Sequence, residues 1–408
     1  MNKNNAALIL SPNMGYLDMG LPLMNFLKES HFNTTLIVPY EIIPRGINIS
    51  DTLITFLPEI INNFIIVFSK GNQKKINNFK DFKKFLVLIK NLRFFDKKIR
   101  LIEKAFSFLS NKSYENIDLP YFDFIVFDIT VLNRKNLTNF FHQFSRNSEW
   151  LSYHHAIKIH TPQDSNENPE YKNEFHSIYT NTNLLTLSQH ENKYWLNKLN
   201  GKVEKIVPVG ILRHQQSWIL KIQSSTVHEY ENHVLLITRP KISLYLKEED
   251  KIEALKDILM LQKNLNLAKI IIRLHPKETE KKLYFKIFGK DNYKKSWEFT
   301  DLHPFIASKK ALMCICLSHS NVIYDMNVLN IPVIIRKNIK TYNEYYHRKT
   351  SEPIVNLGMV NLTKNYFELY NETKKIIAER ENYIIKQNSA YNAYFEKPNN
   401  LDSILDIM

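Results

Sequence analysis

Ile270-Ile271-Ile272-Arg273-Leu274-His275-Pro276-Lys277-Glu278 is the stretch on which the fold turns. A β-branched run with no polar residue alternating through it describes a strand buried on both faces, as in a mostly parallel sheet. It ends abruptly in Arg273, His275, Pro276 and Lys277, so cationic and hydrogen-bonding groups gather at the strand's carboxyl end. Open α/β sheets bind ligands at that end. Pro276 fixes its own φ and holds His275 extended, which limits where the imidazole points. A phosphate is the natural guest for such a corner. A lone His-Pro also fits a loop histidine among solvated lysines, and what tips the balance is a second stretch, residues 311–336.

There, a strand over 311–317 hands over through Ser318-His319-Ser320 to a helix over 321–329, followed by a strand over 332–335. A helix N-terminus offers free backbone N–H groups and a partial positive charge, so the loop describes an anion site that needs no glycine. Ser318 or Ser320 also fits a plain N-cap. Asp325, one turn into the helix, is placed either to accept hydrogen bonds from a ribose or to face solvent.

Strand-like runs alternate with helical spacing in both directions from these stretches. Residues 6–10 and 34–39 read as strands around a helix over 21–28, a βαβ opening with its functional loop after the first strand. Gly15 and Gly20 allow a tight turn or the close approach of a ligand, and Asp18 is a helix N-cap or a site acid. Residues 122–127 form a strand ending in Asp128, and 150–156 a strand that delivers His154 and His155. Runs at 184–187 and 203–210 follow, and the pattern restarts at 233–238, closing with Arg239-Pro240. The expectation is an α/β chain of two doubly wound domains facing a cleft, 1–225 and 226–375, with a helical segment 376–408 packing back on the first.

A chain of 408 residues, 44% hydrophobic and 12% aromatic, holds two cores of ordinary size. Its formal net charge of +14 suits phosphate-bearing partners. Nucleic acid is disfavoured, because no reader motif accompanies the charge. Much of the excess lies in 70–104, where lysines flank Phe82, Phe85, Leu86, Ile89 and Leu92 at helical spacing. That pattern fits a helix lying on an anionic membrane surface, or an ordinary surface helix. The two cysteines, Cys314 and Cys316, sit in an apolar run and read as core residues of a reducing compartment. No run approaches the roughly 18 to 20 apolar residues of a spanning helix, and no signal-peptide pattern opens the chain, so a cytoplasmic protein is expected. Eight glycines exclude a Gly-x-Gly-x-x-Gly fingerprint or a Walker loop, and no Asp-x-Asp metal motif occurs.

His275-Pro276, the Ser-x-Ser loop at 318–320 and the following Ile331-Pro332-Val333-Ile334 resemble the His-Pro and Ser-Ser motifs of bacterial GT-B glycosyltransferases. These include sialyltransferases, polysialyltransferases and Kdo transferases that use CMP-activated sugars. CDP-glycerol and CDP-ribitol phosphotransferases carry similar motifs. The chain departs from the pattern at His319, where adjacent serines are usual. Ser152-Tyr153-His154-His155-Ala156 is similar to the His-Gly-Thr stretch of the phosphotransferases, and Phe127-Asp128 to the strand-end acid of sialyltransferases. The resemblance implies an inverting transferase that needs neither metal nor cofactor, acting in surface-glycan synthesis. It implies a CMP-sugar donor on the second domain and a glycan or glycolipid acceptor on the first. The basic segment 70–104, by its own pattern, is expected to give peripheral contact at the inner face of the cytoplasmic membrane, near a membrane-held acceptor. His155 or Asp128 is the implied base, with Asp18 in reserve. His275, Pro276, Lys277, Arg239, Ser318 or Ser320, and Asp325 are implied on the donor. A CDP-alditol phosphotransferase, a nucleotide-sugar 2-epimerase or a non-catalytic partner of the same fold are the alternatives.

Overall fold

The computed structural model of the chain describes residues 4–10, 16–39, 51–67, 73–76, 80–81, 120–128, 148–154, 157, 159, 182–199, 203–226, 230–241, 246–276, 278–337, 353–398 and 404. The chain divides into two compact units, one formed by Met1–Trp218 with Phe395–Met408, the other by Ile219–Tyr394.

In the first unit, β1 (Asn5–Ile9), β2 (Asn33–Pro39), β3 (Asn63–Val67), β4 (Gln73–Ile76), β5 (Phe124–Phe127), β6 (Glu149–Tyr153), β7 (Thr182–Thr186) and β8 (Lys205–Pro208) form one sheet. Its order is β4-β3-β2-β1-β5-β6-β7-β8. Every pair is parallel except β3 with β4. Helices α1 (Tyr16–Glu29), α2 (Asp51–Ile60) and α3 (Asn192–Leu199) connect its strands. Helix α1 starts at Tyr16, before the run at 21–28, and its first residues are buried. Gly20 serves this packing: a Cβ there would lie 2.9 Å from Leu8 Cδ1, so the close approach it permits is of helix to strand.

The second unit carries β9 (His233–Ile237), β10 (Lys269–Arg273), β11 (Trp297–Thr300), β12 (Ala311–Cys316), β13 (Val333–Arg336) and β14 (Asn361–Thr363). All its pairs are parallel, in the order β11-β10-β9-β12-β13-β14. Strand order in each sheet reverses beside the first strand, between β1 and β5 and between β9 and β12, which is the doubly wound pattern. The isoleucine run behaves as a central parallel strand should, with Ile270, Ile271 and Ile272 fully covered. Ile270 and Ile272 pack with Leu236, Ile315 and Ile334 against Leu255, Ile258 and Leu261 of α4 (Glu248–Asn264). Each such side chain contributes about 1.5–3 kcal/mol of transfer free energy.

The basic segment contains β4, paired antiparallel on β3; the stretch with helical spacing from Phe82 falls in 82–119, outside the described residues. One expectation changes: the final helical stretch breaks at Glu379 into α5 (Tyr366–Ala378) and α6 (Arg380–Tyr394), and both helices belong to the second unit. Gln387 of α6 holds β13, accepting from Val333 N at 2.9 Å and donating to Val333 O at 3.0 Å. Only the stretch from Phe395 joins the first unit. There Glu396 N donates to Leu187 O at 3.2 Å, and Gln215 Nε2 donates to Pro398 O at 2.9 Å. Gly210, at φ +75°, lets the backbone of Glu396 lie against it. No helix among the described residues is long and apolar enough to cross a membrane.

Candidate functional site

In the second unit the register of the sheet builds the site. Ile237 of β9 is paired with Arg273 of β10 on one side and Cys316 of β12 on the other. Arg239, His275 and Ser318 each lie two residues past that registered row, at neighbouring strand ends beside the point where strand order reverses. Ladder bonds continue into the loops, Thr238 N to Arg273 O at 3.2 Å and Leu317 N to Ile237 O at 3.0 Å, which fixes the three residues at one level. His275 and Arg239 are half-buried, and Pro276 is exposed. Ser318 is 3% exposed, and its Oγ has no hydrogen-bond partner among the described residues. A buried hydroxyl left in that state is costly unless something fills the position. Lys277 lies outside the described residues.

The two serines of the loop differ. Ser320 Oγ accepts, at 3.3 Å, the N–H of Val322, the first residue of the helix Val322–Val328, whose N-cap position is held by Asn321. That helix is short, and the site rests on the strand ends rather than on it. The His319 ring lies 5.8 Å from that of Tyr324. Asp325 is fully buried, and its charge helps burial raise the Cys314 thiol above its ordinary range. It therefore faces inward, neither toward solvent nor displayed in the loop.

Beneath His275 lies a network absent from the sequence expectations. Glu278 N donates to His275 O at 2.8 Å. The Glu278 carboxylate accepts from Lys251 Nζ, from Tyr284 OH at 2.5 Å and from Thr238 Oγ1 at 2.6 Å. Thr238 Oγ1 in turn accepts the N–H of His275 at 3.3 Å. The Lys251 and Glu278 side chains are each 1% exposed. Burial and the adjacent Glu278 charge hold the Tyr284 phenol far above its usual range. Nothing in the sequence marks Lys251, which sits in a charged run that reads as a solvated helix face, or Glu278, which reads as one more surface charge.

In the first unit the ends of β1, β5 and β6 are adjacent. Asp128, after β5, is fully buried, and its charge adds to burial in raising the Tyr16 phenol. The Tyr16 hydroxyl is buried with no hydrogen-bond partner among the described residues. Tyr153, the last residue of β6, donates to Gly210 O and accepts from Leu212 N, both at 2.9 Å. Asp18 is not a free acid, because Arg213 forms a buried ion pair with it. The Asp18 carboxylate is thereby engaged with a partner to which the sequence had given no role. His154 is nearly buried with its ring 6.0 Å from that of Trp195. His155 lies outside the described residues. Nearby, Glu191 is 2% exposed and accepts the N–H of Leu187 at 3.3 Å. Burial pushes its carboxyl up to about 8 from 4.5, against the opposing pull of the Leu187 and Trp195 hydrogen bonds.

No family model and no curated protein matches the sequence. Solved structures do. A candidate UDP-N-acetylglucosamine 2-epimerase from Listeria monocytogenes aligns over 99% of this chain and 95% of its own, with TM-score 0.58 and 12% identity. The UDP-GlcNAc 2-epimerase of Methanocaldococcus jannaschii, solved with UDP-GlcNAc and UDP, aligns over 100% and 99%, with TM-score 0.52 and 16% identity. The wall teichoic acid polymerase TagF aligns over 99% and 87%, with TM-score 0.53 and 12% identity. The fold is GT-B-like. At such identities the likeness speaks for the fold alone, and any chemistry has to come from the residues.

Proposed function

We propose that the chain is a nucleotide-sugar-dependent glycosyltransferase that holds the donor's phosphate on the second unit, at the ends of β10, β9 and β12. The alignment of Arg239, His275 and Ser318 at one level beside the strand-order reversal carries this proposal. Arg239 supplies fixed positive charge, His275 a ring N–H and Ser318 a buried hydroxyl. In an inverting transfer, a base takes the proton of the acceptor hydroxyl and that oxygen attacks the anomeric carbon. The bond from this carbon to the phosphate oxygen then breaks. The nucleotide leaves with the bonding pair, and the cationic corner stabilises the charge that develops on its phosphate. In this scheme the corner takes the part a metal ion plays in other transferases. With Asp18 engaged by Arg213, the base falls to Asp128 or His155 of the first unit, which takes the glycan or glycolipid acceptor.

The His-Pro and Ser-x-Ser resemblance favours a CMP-activated sugar. Fold neighbours solved with UDP-GlcNAc or UDP support a second reading, a UDP-sugar enzyme, and the teichoic acid polymerase keeps CDP-alditol transfer in view. One experiment separates them: thermal shift of the full chain against CMP, CDP, UMP and UDP, repeated with His275→Ala. A ligand that binds only the native state raises Tm by mass action. The expected result is a rise with CMP, lost in the variant. A rise with UDP alone moves the assignment to a UDP-sugar enzyme, and no rise with any nucleotide refutes nucleotide-sugar chemistry here.

A further inference from the structure

We propose that Glu278, acting through Thr238, is a positioning residue that aims His275 at the donor phosphate; this rests on the reading of the phosphate corner given above. Proton bookkeeping in the network leads to it. Ionised Glu278 is an acceptor only, and Lys251, Tyr284 and Thr238 all point donors at it. Thr238 has one hydroxyl proton, and at 2.6 Å that proton goes to Glu278. The Thr238 oxygen is therefore left with lone pairs, and one of them receives the N–H of His275 at 3.3 Å. On the other side of the same residue, His275 O accepts the N–H of Glu278 at 2.8 Å. The His275 N–H is thus tied through Thr238 to the buried Glu278 carboxylate, and the His275 carbonyl to the backbone N–H of that same residue.

Burying an ionised Glu and Lys side by side is a poor route to stability compared with apolar packing. What the pair does provide is a fixed direction for the Thr238 hydroxyl, and hence a fixed seat for the His275 backbone. Pro276 restricts the same residue from the C-terminal side. Together they leave the imidazole little freedom except rotation about its own side-chain bonds, so it is preorganised before ligand arrives.

The test is a double-mutant cycle on the full chain, read by calorimetric titration of CMP and of UDP into wild type, Thr238→Val, His275→Ala and the double variant. Thr238→Val removes the hydroxyl at nearly constant volume, and affinity is expected to fall about tenfold, as for one lost hydrogen bond. Thr238→Ser restores the hydroxyl and most of the affinity. In the His275→Ala background Thr238→Val is expected to change nothing further, which a merely structural role would not produce. Equal losses from Thr238→Val in both backgrounds overturn the positioning role while leaving the phosphate corner intact. His275→Ala binding as wild type does overturns the corner and the proposal with it. If Thr238→Val fails to fold, Glu278→Gln replaces it, with the same expectations.

Discussion

Glu191 offers a prediction whose size follows from the structure. Its carboxyl is raised to about 8 in the folded protein by burial, from 4.5. The folded state therefore binds more protons than the unfolded chain between those values, and stability falls as pH rises through that window. The contribution is fully present below pH 4.5, is lost progressively, and is gone above about pH 8. At roughly 1.36 kcal/mol per unit, the interval corresponds to about 5 kcal/mol at most. Glu191→Gln keeps the shape and cannot ionise. Near pH 5 it is expected to match wild type within about 1 kcal/mol, and near pH 8.5 to be more stable by about 3–5 kcal/mol. For a unit of this size that corresponds to a Tm higher by about 5–15 °C. Calorimetric melts of both proteins from pH 5 to pH 9 measure it, and taking the difference cancels titrations common to both. Parallel profiles would refute the reasoning, since they would mean that Glu191 ionises at its ordinary pH despite its burial.

Other outcomes follow from features already described. Lys251→Met strips the buried Glu278 of its counter-ion and is expected to cost about 3–5 kcal/mol by denaturant titration. Lys241→Met, whose pairs with Glu248 and Glu280 lie at the surface, is expected to leave the midpoint unchanged. Gly210→Ala forces a side chain into positive φ and onto the Glu396 carbonyl. A loss of about 2 kcal/mol or more is expected, with faster proteolysis of the stretch from Phe395. If 70–104 docks on membranes, the chain co-sediments with phosphatidylserine vesicles at low salt, and charge reversal at Lys83, Lys84, Lys97 and Lys98 releases it. Wild type remaining in the supernatant ends that idea.

Much of the doubly wound pattern was legible because buried parallel strands write themselves as unbroken apolar runs, as at 270–272 and 333–335. Short or mixed strands escaped: β11 reads Trp-Glu-Phe-Thr and β14 is three residues long, neither with a period to detect. The helical segment expected from 376 onward conceals a break, since nothing in Ala378-Glu379-Arg380 resembles a stop. At the candidate site, the polar punctuation of His275-Pro276 and the serines stood out, because such residues interrupt apolar runs. The buried supports did not. Lys251, Glu278 and Arg213 are charged residues whose burial depends on partners 27 and 195 positions away, and local sequence carries no trace of a partner at that distance. Asp18, read as an N-cap or a site acid, and Asp325, read as a ribose contact or a solvent-facing residue, are both covered by long-range packing that the local sequence does not show.

The division of the chain also has a consequence for synthesis. The second unit is one continuous stretch, Ile219–Tyr394, while the first is assembled from Met1–Trp218 and the residues after Tyr394. On the ribosome, where domains emerge N-terminal part first, the first unit waits for the whole second unit before its closing segment appears. Until Glu396 reaches Leu187 and Pro398 reaches Gln215, the turn at Gly210 stands uncovered. The unit that starts first is thus the one that finishes last, and a nascent chain halted near residue 394 carries a finished insert within an unfinished host.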